Sequence, residues 1–263
     1  MNRAERRQQA KQDAKRLVNG IDPRTQDAEP TAAMARVLLA LVEDAKRDGD
    51  LDPVVRYLHA KVEATLAGTK DITAMTACKK GCAHCCHTWV SAPAPEILFL
   101  AKRIAERHGA SAVQRIRDAH MHTKGFEKGL RGVDPISCPL LDQDLCSVYD
   151  VRPTACRFAS SANADICARS FRQGSNESIP TPTVHLRARA GYQIALAIAL
   201  DGARLPYYFY ELNAGLTRAL ETKDAEKSWL SGDDIFLDVK RDPLDLLAHP
   251  QAKMMYRQAL GSS

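Results

Sequence analysis

Apolar residues recur at helical spacing over most of this chain. Behind Pro30 and Thr31, the run MARVLLALVEDAKR repeats them three and four positions apart until Gly49, the signature of an amphipathic helix. Asp52 and Pro53 read as cap and first turn of a second helix, VVRYLHAKVEATLAG, with Gly68 as its stop. A third begins at Pro95 and Glu96; Ile97, Leu100 and Ile104 share one face of it and Gly109 ends it. Ser111 is the expected cap of a fourth, AVQRIRDAHMH. The C-terminal part continues in the same style, with VHLRARAGYQIALAIAL, a helix after Pro206 and a last one from Asp242 and Pro243. Only the pieces CSVYDV and DIFLDV alternate as strands would. The pattern predicts a mainly α protein with an irregular centre. Four regions follow: a tail over 1–29, N-terminal helices over 30–70, an irregular segment over 71–172 and a helical region over 183–263. The polar, proline-bearing stretch Gln173 to Pro182 is the expected linker between the last two.

Composition changes this picture little. The 263 residues are 45% apolar and 26% charged, ordinary for a globular chain and ample for a core without disulfide staples. The longest apolar stretch, Tyr192 to Leu200, is about half of the ~20 residues that cross a bilayer, so no membrane span is expected. The first residues are charged throughout, without the apolar segment of a secretory leader, and the expected location is the cytoplasm. The net charge of +5 is concentrated in residues 1–24, where seven Lys/Arg face three acids. The rest is near neutral, with no basic stripe and no interleaved aromatics, so nucleic acid is not the expected partner. The tail itself reads as a solvated arm.

The cysteines are the exception to this ordinariness. Half of the eight lie in CKKGCAHCCH, as Cys78, Cys82, Cys85 and Cys86, and Cys138, Cys146, Cys156 and Cys167 follow. In a reducing compartment such clusters bind metal or do chemistry more often than they form bridges. A helical turn starting after Gly81 would set Cys82, Cys85 and Cys86 on one face. Cys78 would then swing over that face from its loop, and Gly81 would let the backbone wrap closely. Convergent thiolates suit zinc or an iron–sulfur centre rather than calcium or magnesium, which prefer oxygen. Lys79 and Lys80 would offset part of the charge. His84 and His87 are alternative ligands that eight thiols make unnecessary. A nucleophilic cysteine would not need seven companions, and a thioredoxin-like Cys82–Cys85 pair lacks its βαβ setting. The wider gaps of the second group bring single ligands from separate loops. Arg152 and Arg157 flank them as candidate donors to thiolates or carriers of an anionic ligand.

CKKGCAHCC followed by CPLLDQDLCSVYDVRPTACR resembles the CxxCxxCC, or YkgJ-like, cysteine-cluster family of zinc- or iron-chelating proteins, over roughly residues 75–170. The matching positions are Cys78, Cys82, Cys85 and Cys86, then Cys138, Cys146, Tyr149, Arg152, Pro153, Cys156 and Arg157. Three residues separate Cys78 from Cys82 here, where the family name has two. Cys167 lies outside the tightest motif and is ranked the most dispensable of the eight. The resemblance extends to flagellin lysine N-methylases, whose further regions are not recognisable here. It implies a centre of zinc or iron, the iron alone or in an iron–sulfur cluster, held by all eight cysteines. Two classes of function fit: an enzyme that uses an iron–sulfur centre, related to protein lysine N-methylation, or a zinc-stabilised adaptor with a protein or small-molecule partner.

Overall fold

The structure, a computed structural model, describes residues 28–126, 136–173, 175 and 177–261. Residues 1–27 of the expected tail, and positions 174 and 176 of the expected linker, lie outside the described residues. Among the described residues there are eleven α-helices and two small two-stranded sheets, a mainly α fold as the pattern predicts. The N-terminal helices are α1 (Ala28–Asp48), α2 (Asp52–Gly68) and the short α3 (Lys70–Ala74); α4 (Ala94–Arg107) and α5 (Gly109–Thr123) follow the first cysteines. Between the later cysteines come α6 (Thr154–Arg157) and α7 (Ala164–Arg172), and then α8 (Thr183–Gly202), α9 (Leu212–Glu221), α10 (Ala225–Leu230) and α11 (Pro250–Leu260).

Two layers meet across α2. On one side α1 packs along α8 and α11; on the other α9 packs against α4 and α5. The apolar run of α8 explains itself here, because Ala195 to Leu200 are all buried, and a helix that is apolar all round belongs in a core. Gly215 on α9 faces α4, where an added Cβ would stand 2.6 Å from Ile97 Cδ1 and force that side chain to shift. One cluster of buried side chains runs from Ala35 on α1 to Met255 on α11 and includes Leu140, Val148 and Val151 from the cysteine-bearing segment. No helix among the described residues is long and apolar enough to cross a membrane.

Several boundaries differ from the pattern, each for a local reason. Leu51, not Asp52, occupies the cap position of α2. The Asp52 carboxylate is drawn instead to Lys102 at 3.3 Å and to Arg103, and Asp50 accepts the Asp52 N–H at 3.1 Å. Ser111 lies inside α5, which starts at Gly109. The helix after Pro206 is delayed to Leu212 because β4 (Phe209–Glu211) first pairs antiparallel with β1 (Ser91–Pro93). Asp242 serves this pairing: its N–H donates to Phe209 O at 2.7 Å, and its carboxylate accepts Ser91 Oγ at 2.7 Å. The last helix therefore waits until Pro250. DIFLDV is a string of turns, not a strand, and drives Phe236 under Tyr210 at 4.9 Å between ring centres.

In the cysteine-bearing segment, β2 (Leu141–Asp142) and β3 (Leu145–Cys146) form a hairpin that sets Cys146 opposite Leu141. Its two turn residues, Gln143 and Asp144, have φ of 46° and 59°. Positive φ at both positions marks the type I′ turn, which Asn and Gly fill best. Gln143→Asn should therefore raise stability by a few tenths to about 1 kcal/mol; an unchanged urea midpoint would show that the turn holds no strain.

Candidate metal centre

Two tight turns carry Cys82, Cys85 and Cys86. Cys82 N–H donates to Lys79 O at 2.9 Å across a turn whose third residue, Gly81, has φ of 85°, the type II geometry that calls for glycine. A single 3₁₀ turn, His84–His87, then presents Cys85 and Cys86. The expected one-faced helix from Cys82 is not formed. The tight turn at Gly81 leaves Ala83 with φ of −119°, so helical geometry starts only at His84. Cys85 and Cys86 nevertheless turn their thiols to within hydrogen-bonding reach of each other.

The later cysteines arrive from separate elements, and the two groups meet. Cys138 N–H donates to Cys86 O at 2.7 Å, which docks the second group directly on the first. Cys146 comes from the hairpin, and Cys156 from α6. Cys167 lies on α7, which packs against the 3₁₀ turn. Asn163 starts that helix, its Oδ1 accepting the N–H groups of Asp165 at 2.9 Å and Ile166 at 3.0 Å. Cys167 is the buried member of the eight, while Cys78 is exposed and the others are half-buried; all eight are free thiols.

Electrostatics maps the neighbourhood. Cys85 is the common neighbour: its charge is felt by Cys78, Cys146, Cys156 and Cys167. A hydrogen bond that Cys85 donates to Cys86, followed by burial, pushes the Cys85 thiol far above its ordinary range. Burial, then the charges of Cys138 and Cys85, does the same to Cys156. Burial also raises Cys78, Cys146 and Cys167. Crowded thiols of this kind stay protonated until a cation replaces their protons.

The two flanking arginines separate in role. Arg152 lies 3.9 Å over the Tyr149 ring and acts on Cys85, Cys146 and Cys156, lowering each. Its buried Nε has no hydrogen-bond partner among the described residues, so this donor is free to face thiolate sulfur. Arg157 does not serve the thiols. It donates to Arg152 O at 2.9 Å, to Asp150 O, to Glu63 and to His59 Nδ1 at 3.2 Å. Because an arginine can only donate, His59 Nδ1 accepts and Nε2 carries the ring hydrogen, which it gives to Glu96 Oε1 at 3.1 Å. That same oxygen accepts the N–H and hydroxyl of Thr154, both at 2.7 Å. Pairing Arg157 away from sulfur is what clamps α6, and with it Cys156, onto α2 and α4.

Sequence reasoning missed two further residues. Ser161 donates its N–H to Cys78 Sγ at 3.4 Å, while its hydroxyl donates to Asn163 O at 3.1 Å; nothing in a lone serine announces such a contact. Glu96 did carry a signal, a carboxylate leading an otherwise apolar run, and it is 3% exposed. The histidines divide as well. His87 Nδ1 meets Ala83 O at 3.1 Å, a bond within its own turn. Burial, then Arg172, lowers His84, whose buried Nδ1 has no hydrogen-bond partner among the described residues.

The donor set fits zinc or iron. Eight sulfur donors with a cationic side chain beside them suit soft or borderline ions. No trio of these sulfurs lies within 4.8 Å of one another, whereas four sulfurs around one zinc at ~2.3 Å stand about 3.8 Å apart. The fold and site thus define a helical protein built around a thiol-rich centre. Residues 77–176 match the CxxCxxCC family, described as a putative zinc- or iron-chelating domain. The resemblance read from the motifs is borne out over this segment. No curated protein and no solved structure matches the chain.

Proposed function

We propose that the chain is a cytoplasmic metal-binding protein in which Cys78, Cys82, Cys85, Cys86, Cys138, Cys146, Cys156 and Cys167 hold zinc or iron as thiolates. The observation that carries this reading is the hydrogen bond from Cys138 N–H to Cys86 O, which joins two cysteine groups fifty residues apart in sequence. The helices form the scaffold and the segment 71–172 the metal-binding domain. Bound metal would tie three separate loops together, so its binding energy adds to folding energy. Arg152 offsets thiolate charge. The wide spacing of the sulfurs favours a centre with more than one metal atom, and hence an iron–sulfur cluster, over a lone zinc. Purification without oxygen, followed by measurement of iron, zinc and acid-labile sulfide per chain, tests this. Iron with matching sulfide is the expected result; zinc alone selects the adaptor reading, and a metal-free chain that takes up neither ion overturns the proposal.

The raised thiols also set a pH dependence. Their folded values lie above the ordinary 9.0, so the contribution they make to stability is full below about pH 9 and is lost as pH climbs through the raised values. Protein stripped of metal by a chelator should lose urea resistance as pH rises above about 9, and metal-loaded protein should lose less. Parallel losses in both forms would remove the thiols from the explanation.

A further inference from the structure

A cavity of about 260 Å³ opens beside α2 and α4, and no cysteine lines it. Arg56 and His59 reach it from α2, Phe99, Arg103 and Arg107 from α4, and Asp150 and Val151 from the single turn Tyr149–Val151. Its apolar lining is buried, with Phe99 3% and Val151 7% exposed. His59 adds no polar function, because both of its ring nitrogens are spent, on Arg157 and on Glu96. What the cavity offers a polar ligand therefore comes from three guanidiniums and one carboxylate.

These guanidiniums have more donors than their partners can use, since each carries five N–H groups in a fixed fork. Arg56 makes one ion pair among the described residues, at 3.5 Å to Asp52, and that carboxylate also serves Lys102 at 3.3 Å and Arg103. Arg103 adds Glu106 at 2.7 Å, and Arg107 pairs with Asp150 at 2.8 Å. Asp52, Glu106 and Asp150 thus match the three arginines in number but not in hydrogen-bonding capacity. Arg56 and Arg103 also stand over the same Phe99 ring, 5.8 and 4.9 Å from its centre. Two like charges that share one ring and one carboxylate gain from a further anion beside them. The Arg107–Asp150 pair is exposed at both ends, and such a pair yields to a better acceptor.

We propose that this cavity binds a small organic oxyanion, a carboxylate or a phosphate monoester. Arg56, Arg103 and Arg107 hold the charged head, and a short apolar body lies against Phe99 and Val151. Guanidinium forks match both kinds of head bidentately. The volume falls below the ~300–1,000 Å³ of pockets that take drug-sized ligands, so the ligand is small. The site needs no metal, and it stands or falls separately from the thiol centre.

Calorimetric titration of the full chain with simple probes tests the assignment. Benzoate and phenyl phosphate carry head and body, acetate and inorganic phosphate the head alone, and benzyl alcohol the body alone. At millimolar concentration benzoate or phenyl phosphate should bind, and whichever binds tighter names the head. Removing its body should weaken binding about 10-fold, and benzyl alcohol should not bind measurably. Arg56→Gln and Arg107→Gln should each weaken the tighter probe about 10-fold. Arg257→Gln, in the shallow hollow on α11 that Lys253 also lines, should leave it unchanged. Absence of binding by both two-part probes overturns the proposal. So does benzyl alcohol binding as tightly as they do, the behaviour of a plain apolar hole, or a bare head binding as tightly as its two-part form. Equal weakening by Arg257→Gln overturns it too, because the anion would then be reading surface charge at large. Both cavity substitutions fall on exposed side chains, and the probe series on the unaltered chain stands without them.

Discussion

Replacing Cys85 by serine removes bound metal and unfolds the cysteine-bearing segment. Cys85 faces Cys86 and lies within electrostatic reach of Cys78, Cys146, Cys156 and Cys167. Its loss therefore disturbs five of the other cysteines rather than one. Metal binding in such sites is worth on the order of 10 kcal/mol of folding free energy, and most of it should vanish. Cys167→Ser should cost much less, because Cys167 lies outside the tight motif, and Cys82 and Cys85 are the cysteines whose charge it feels. Metal content and the urea midpoint of the two variants, measured side by side, decide the matter. Unchanged metal in Cys85→Ser would overturn the whole account, and equal losses would cancel the ranking.

Glu96→Ala should be the largest effect of any substitution away from sulfur, about 3–5 kcal/mol. The variant leaves the Thr154 N–H and hydroxyl and the His59 Nε2–H without their acceptor, in a place where Thr154 is 1% and Glu96 3% exposed. Each orphaned buried donor carries a desolvation cost of about 1–3 kcal/mol. Glu96→Gln retains an acceptor oxygen and should lose less. The coupled readout is metal content: α6 would loosen and Cys156 with it. A Glu96→Ala protein as stable as its parent, with full metal, would show that α6 is held by packing alone.

Much of this was legible in the chain. The helices of Ala28–Asp48, Ala94–Arg107 and Thr183–Gly202 announce themselves through long apolar periodicity, which local sequence alone determines. The cysteine cluster was legible through spacing and through the resemblance those spacings carry. The failures share one cause, namely contacts made far away in sequence. Asp52 reads as a cap until Lys102 and Arg103 claim its carboxylate. Residues 209–211 read as a helix approach until 91–93 pair with them. Arg157 reads as a thiolate donor until Glu63, His59 and two carbonyls take up its guanidinium.

The packing of α1 along α8 and α11 bears on when the centre can be built during synthesis. A ribosome that has translated as far as Arg172 has already made all eight thiols, yet has not made the helix that α1 needs as its partner. Contacts of such long sequence separation form slowly, since closing the loop precedes any gain. For that interval the chain is a string of reduced, unscaffolded cysteines, open to the wrong ion and to oxidation. Completion of α8 ends the exposure, so a metal bound through these thiols, as proposed above, would enter a finished scaffold only late in synthesis.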